Sequence, residues 1–151
     1  MKKGFIMENF ILTFGIPEEA CDALIEYHTQ NEHDKTSTEQ MWTKDQKEGI
    51  DVACYPKNQN PVIQNYLGYM FQGLDAYCEK YKHFKQKTVI SQAFNIQYYP
   101  PNGGYKQWHN ERSTQQTHQR SLVFMTYLND LPDGGGTEFA YYPDFKVTAK
   151  K

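Results

Sequence analysis

At 151 residues the chain holds one domain's worth of core, and 38% apolar with 15% aromatic residues sets it apart from a disordered tail. A formal net charge of −2, with no long run of like charge, argues against a nucleic-acid partner. No apolar run approaches the roughly 18 to 20 residues that span a bilayer, and Glu8 interrupts the apolar start, so no membrane or signal segment is read and a soluble, cytoplasmic or otherwise intracellular protein is expected.

Residues 5–14 are β-prone and aromatic and read as one strand, ended by Gly15-Ile16-Pro17. Pro17 suits the first turn of a helix, and Glu18 and Glu19 favour its positive end. Ala20, Cys21, Leu24, Ile25 and His28 recur at helical spacing, which predicts an amphipathic helix to about Gln30. Residues 31–60 are polar and irregular, with one short strand at 50–55. Trp42 is the large apolar residue of that stretch and favours a lid over a bare connection.

Asn60-Pro61 caps a second, longer helix. Its apolar stripe comprises Ile63, Tyr66, Leu67, Met70, Phe71, Leu74, Tyr77, Cys78 and Tyr81, a pattern of core packing. Cys21, Cys54 and Cys78 form no Cys-x-x-Cys pair and read as free thiols, Cys21 and Cys78 buried on helical faces.

Beyond Lys87 the texture changes to short strands at 89–99, 105–111, 121–129, 138–142 and 145–149. Turn signals separate them at residues 100–104 and 132–136. Two helices followed by short strands indicate a single α+β domain, with a helical support region over about 1–87 and a β core over about 88–151.

His109-Asn110-Glu111 places an imidazole and a carboxylate two residues apart. On a strand both leave the same face and can meet one metal ion, as two members of a 2-His-1-carboxylate triad. With 18 acidic residues and five histidines such a pair arises easily by chance, so its surroundings decide. Read alone, the pair is a surface feature bonded to its neighbours, Arg120 an exposed strand start, and Gly134-Gly135-Gly136 a hairpin turn. Trp108 is expected to pack in the core, on the side of the strand opposite His109.

The stretch from Gln97-Tyr98-Tyr99-Pro100 through Gly103-Gly104-Tyr105 to Trp108-His109-Asn110-Glu111 resembles the Tyr- and Gly-rich approach to the metal motif of prolyl 4-hydroxylases. That family belongs to the Fe(II)/2-oxoglutarate-dependent oxygenases. Arg120, the Tyr127-Leu128-Asn129 run and Gly134-Gly135-Gly136-Thr137-Glu138-Phe139, read as Gly-Gly-x-Thr-x-Phe, follow in the family's order. The resemblance is specific over residues 94–139, and the opening strand and first helix match it in layout.

It implies a double-stranded β-helix, a jelly-roll or cupin-like barrel backed by the two N-terminal helices and C-terminally incomplete. It also implies Fe(II) held by His109 and Glu111, 2-oxoglutarate as co-substrate, dioxygen, and ascorbate as a supporting reductant. Tyr99, Tyr105, Arg120 and Thr137 are the implied co-substrate residues, Thr137 matching without a gap and Tyr99 with one extra residue in the loop. The implied substrate is a carbon of a peptide or small molecule, with peptidyl proline first.

Two features depart from the pattern. Glu111 stands where Asp is usual, and the family's second histidine and distal basic residue lie on strands beyond the segment that residues 146–151 resemble. His28, His33 and His83 lie in or beside helices, and His118 reaches the pair only if loop 112–119 folds back. A cupin-like metal hydrolase or isomerase, or a non-catalytic binding module, are the rival classes. An open strand edge after Phe145 would favour a homodimer.

Overall fold

The structure is a computed structural model that describes residues 6–8, 10–31, 35–37, 39, 41–84, 90 and 92–151. Parts of the predicted strands at 5–14 and 89–99, and His33 with them, lie outside the described residues. The architecture is mixed α and β: two helices and four small antiparallel sheets, which do not close into a barrel among the described residues.

The single opening strand predicted over 5–14 is instead a tight hairpin of β1 (Ile6–Glu8) and β2 (Ile11–Thr13). Phe10 sits in the turn at φ 65°, a left-handed conformation that an uninterrupted strand cannot contain. Helix α1 (Glu18–Gln30) begins directly after Pro17 and buries Ala20, Cys21, Leu24 and Tyr27. Helix α2 (Pro61–Lys80) starts where Asn60 Oδ1 accepts the Val62 N–H at 2.9 Å, satisfying one of the open amides of the first turn. Its inner face keeps Ile63, Tyr66, Leu67, Met70, Tyr77 and Cys78 of the predicted stripe, with Leu74 partly buried and Tyr81 just past the helix end. Phe71 is 46% exposed, while Gly73 is buried because the Phe14 ring occupies the space a Cβ would need.

Between the helices the chain is less irregular than its composition implies. Strands β3 (Lys35–Ser37) and β4 (Lys47–Glu48) precede the predicted β5 (Ile50–Cys54). Strand β5 is central in a three-stranded sheet, between β3 and β6 (Phe94–Tyr98). The register pairs Val52 with Ile96, Cys54 with Phe94 and Asp51 with Gln97.

Alternation along these strands splits the sheet into two faces. Val52, Cys54, Phe94 and Ile96 pack on the helices with Ile63, Tyr66 and Leu67. Asp51, Asn95 and Gln97 form the other face, which is polar. All three cysteines are buried free thiols.

The remaining ladders are two residues long: β4 with β7 (Gly104–Tyr105), and β8 (Thr137–Glu138) with β9 (Lys146–Val147). The strands expected over 105–111, 138–142 and 145–149 are thus shorter than their β-prone stretches, because pairing stops after two residues. Residues 121–129 form no ladder. No helix among the described residues is long and apolar enough to cross a membrane.

Candidate functional site

The polar face of the β5–β6 sheet is anchored by a buried ion pair. Lys47 Nζ donates to Asp51 Oδ2 at 2.8 Å, with the two side chains 8% and 11% exposed. Gln97 Nε2 donates to both Asp51 oxygens at 3.1 Å and Asn95 Nδ2 to Oδ2 at 3.3 Å, so the carboxylate has several donors to offset its lost hydration. Tyr99 extends the network by donating its hydroxyl to Gln97 Oε1 at 3.2 Å. Burial, with Asp51 and Tyr105 nearby, pushes the Tyr99 hydroxyl far above the usual tyrosine range, so it stays a protonated donor.

Lys47 belongs to β4, and β4 pairs with β7, so the ion pair fixes the strand that leads toward His109. The turn between β6 and β7 is tight. Gly103 N–H donates to Pro100 O at 2.7 Å, and a Cβ at Gly103 would come within 2.8 Å of Glu48 O, so a side chain there would force β4 and β7 apart. The ladder closes where Lys106 N–H donates to Gln46 O at 2.8 Å.

His109 and Glu111 therefore sit beyond the ladder in a loop, and the expectation that a strand aims both to one face is corrected. Strand β4 has only two residues to offer β7, and residues 106–111 have no strand to pair with. The loop nevertheless brings the two side chains together: His109 Nε2 lies 3.3 Å from Glu111 Oε1, and Nδ1 lies 3.0 Å from Gln107 O. Both ring nitrogens face oxygen acceptors, and a neutral imidazole can donate to only one of them. The side chains are 41% and 39% exposed, so both reach solvent.

The second Glu111 oxygen, Oε2, accepts from Arg120 Nη1 at 2.7 Å. Arg120 Nε in turn donates to Gln92 Oε1 at 2.6 Å, which holds the guanidinium from its other side. Tyr105 lies tilted by 35° against the His109 ring with centroids 4.0 Å apart, and Trp42 meets Tyr105 edge-on at 5.4 Å. Four of the candidate residues, His109, Glu111, Arg120 and Tyr105, thus form one contiguous group. Tyr99 lies near enough for Tyr105 to act electrostatically on its hydroxyl, but is bonded to Gln97.

Thr137 stands apart from that group. Its Oγ1 lies 2.5 Å from the Tyr127 hydroxyl and donates to Met125 Sδ at 3.3 Å. Positive φ values of 60° and 84° at Gly135 and Gly136 turn the chain just before it. Tyr98 is turned away, 51% exposed and tilted against His28. His118 hydrogen-bonds Gln115 O within its own loop, and no group of three His, Cys, Asp or Glu converges among the described residues.

Trp108 is not in the core as expected. It is 68% exposed, because once β7 ends no sheet face remains for it to cover. It lines a cleft of about 200 Å³ with Phe139 and Pro143. Sequence reasoning did not single out Gln92, Lys47, Asp51 or the Gln97 side chain as site residues. The signal for the last two was a pair of polar residues on strands otherwise rich in apolar ones. The chain matches no family model, no curated protein and no solved structure.

Proposed function

We propose that the chain is a prolyl-4-hydroxylase-like, Fe(II)- and 2-oxoglutarate-dependent oxygenase that hydroxylates a carbon of a peptide or amino-acid substrate, on a double-stranded β-helix scaffold. The observation that carries the reading is the approach of His109 Nε2 to within 3.3 Å of Glu111 Oε1, with the second carboxylate oxygen held by Arg120. Two donors at that separation suit neighbouring positions on one divalent ion, whose nitrogen and oxygen ligands lie at about 2.0 to 2.2 Å. Glutamate in place of the usual aspartate is accommodated because the loop, not a strand, sets the spacing. His109 and Glu111 supply two of the three protein ligands of such a centre.

When bound, the iron would supply the activation of dioxygen, one oxygen atom going to 2-oxoglutarate as it loses CO2 to give succinate and the other into a substrate C–H bond. The chain's own residues hold and orient. Arg120 and Gln92 lock the Glu111 carboxylate in one rotation, the kind of outer support that keeps a ligand aimed. The Tyr105 face covers one side of the imidazole and limits water there. Tyr99 carries a hydroxyl that stays protonated across the physiological range; it would donate to a co-substrate carboxylate by exchanging its bond to Gln97 Oε1. Thr137, hydrogen-bonded to Tyr127, holds a second hydroxyl on the β8–β9 hairpin. The cleft beside Trp108 combines the apolar Phe139 and Pro143 with the Glu138–Lys146 ion pair, a mixed surface that suits a peptide.

The reading is tested by supplying Fe(II), 2-oxoglutarate and ascorbate to the chain and measuring succinate, with Glu111→Ala alongside. Succinate above the metal-free background, reduced at least tenfold in the variant, is expected. Equal output from parent and variant would remove the assignment.

A further inference from the structure

Residues 121–130 are the longest β-prone stretch that the fold leaves without a ladder. Arg120 N–H donates to Thr117 O and Leu131 N–H to Ala149 O, but the ten residues between them make no backbone–backbone hydrogen bond among the described residues. Their side chains nevertheless alternate as in a strand. Phe124 packs on Tyr66 and Phe94, Thr126 Oγ1 lies 2.8 Å from the Tyr66 hydroxyl, and Leu128 packs on the core. Met125 and Tyr127 point the other way, to Thr137. This period of two marks an extended segment laid on the helical core, with no backbone–backbone bond on its edges among the described residues. Val123 and Met125 are 58% and 61% exposed.

We infer that residues 122–128 pair antiparallel with the same segment of a second copy of this chain, in a register centred on Met125. The sequence is complementary to itself in that register. Arg120 falls opposite Asp130, Ser121 opposite Asn129, Leu122 opposite Leu128, Val123 opposite Tyr127, and Phe124 opposite Thr126. Opposite charges at both ends, with the Leu122–Leu128, Val123–Tyr127 and Phe124–Thr126 pairs between them, are combinations that stabilise facing strands, and Ser121–Asn129 is a neutral polar pair.

The end charges have capacity for the contact. Arg120 uses Nη1 on Glu111 and Nε on Gln92, and Asp130 uses Oδ1 on the Lys151 N–H. Arg120 Nη2 and Asp130 Oδ2 remain. A shift of one residue would bring Arg120 opposite Asn129 or Leu131 and would separate both ion pairs. A twofold axis through Met125 applies the same surface twice, as a closed dimer requires. It also covers the open amides that leave an unpaired strand prone to uncontrolled association. The inference rests on the strand and its charges, independently of any metal chemistry.

Cysteine crosslinking tests the register directly. In an antiparallel pair the facing Cα atoms lie about 4.5 to 5.5 Å apart, within the roughly 4.4 to 6.8 Å range of a disulfide. Met125→Cys should therefore form a covalent dimer under mild oxidation, the native cysteines being buried. Two copies of Val123→Cys would hold their thiols about 13 Å apart along the strands and should give at least tenfold less dimer. Mixing Val123→Cys with Tyr127→Cys should restore it. Val123 and Met125 are exposed, so their substitution leaves the core intact, whereas Tyr127→Cys gives up the bond to Thr137. Sedimentation of the unmodified chain should show a concentration-dependent dimer. A strictly monomeric parent, failure of Met125→Cys to crosslink, or equal crosslinking of Met125→Cys and Val123→Cys would overturn the inference.

Discussion

The sheet under the two helices buries Val52, Cys54 and Ile63 completely, whereas from Gly104 onward one described residue, Ala149, is buried. In that second region Trp108, Val123, Met125 and Tyr141 are each more than half exposed. The first region is held by apolar burial between elements of 5 to 20 residues. The second is held by two-residue ladders and by side-chain bonds such as Glu111 to Arg120 and Tyr127 to Thr137. Stability is therefore concentrated on one side of the molecule. Groups able to bind a ligand are left open on the other, where little packing energy is lost by exposing them.

Substitutions can break this contrast or sharpen it. The largest expected effect is at the junction. Asp51→Ala removes the buried carboxylate to which Lys47, Asn95 and Gln97 all donate and should cost about 3 to 5 kcal/mol in urea unfolding, while also loosening β4 and, through it, β7. Ile63→Ala, at a fully buried position, should cost about 2 to 5 kcal/mol by the same measurement through lost burial and the cavity left behind.

Alkaline pH should weaken the first region in a defined window. Burial raises the Tyr66 hydroxyl from 10.0 to about 12, against the lowering effect of its bond to Thr126. The folded state therefore holds this proton more tightly than the unfolded chain does. Its contribution is complete below pH 10 and is lost as pH rises toward about 12. Melting temperature should fall across that interval and fall less steeply in Tyr66→Phe. A slope unchanged by the substitution would remove Tyr66 as its source.

The smallest expected effect on stability is in the second region. Arg120→Met breaks a part-exposed ion pair and should change unfolding free energy by no more than about 1 kcal/mol. The same change should weaken Fe(II) retention about 10- to 100-fold by freeing the Glu111 carboxylate. A loss of several kcal/mol would show that the open region carries stability after all.

The same division explains what could be read from the amino-acid order. Both helices were legible because Ala20, Cys21 and Leu24, and then Ile63, Tyr66, Leu67 and Met70, repeat at the spacing their own geometry requires. Strand β5 was legible from a short β-prone run within a polar stretch. The strand lengths beyond Gly104 were not, because β propensity says nothing about whether a partner is present. That is why residues 106–111 and 121–129 read as strands and form no ladders.

The His109 and Glu111 pair was found by a spacing argument whose premise, a shared strand face, does not hold; a loop turn achieves the same approach. Trp108 was misplaced for the same reason. Gln92 and the Lys47–Asp51 pair escaped notice because their partners lie on other segments: Gln92 is 28 positions from Arg120, and the donors to Asp51 from β6 lie 44 and 46 away.

The most direct measurement is an anaerobic Fe(II) titration of the parent chain beside His109→Ala. Saturable binding by the parent and at least tenfold weaker binding by the variant, with unfolding free energies within about 1 kcal/mol of each other, is the outcome that a metal site built on His109 and Glu111 predicts. Equal affinity in the two proteins would contradict it.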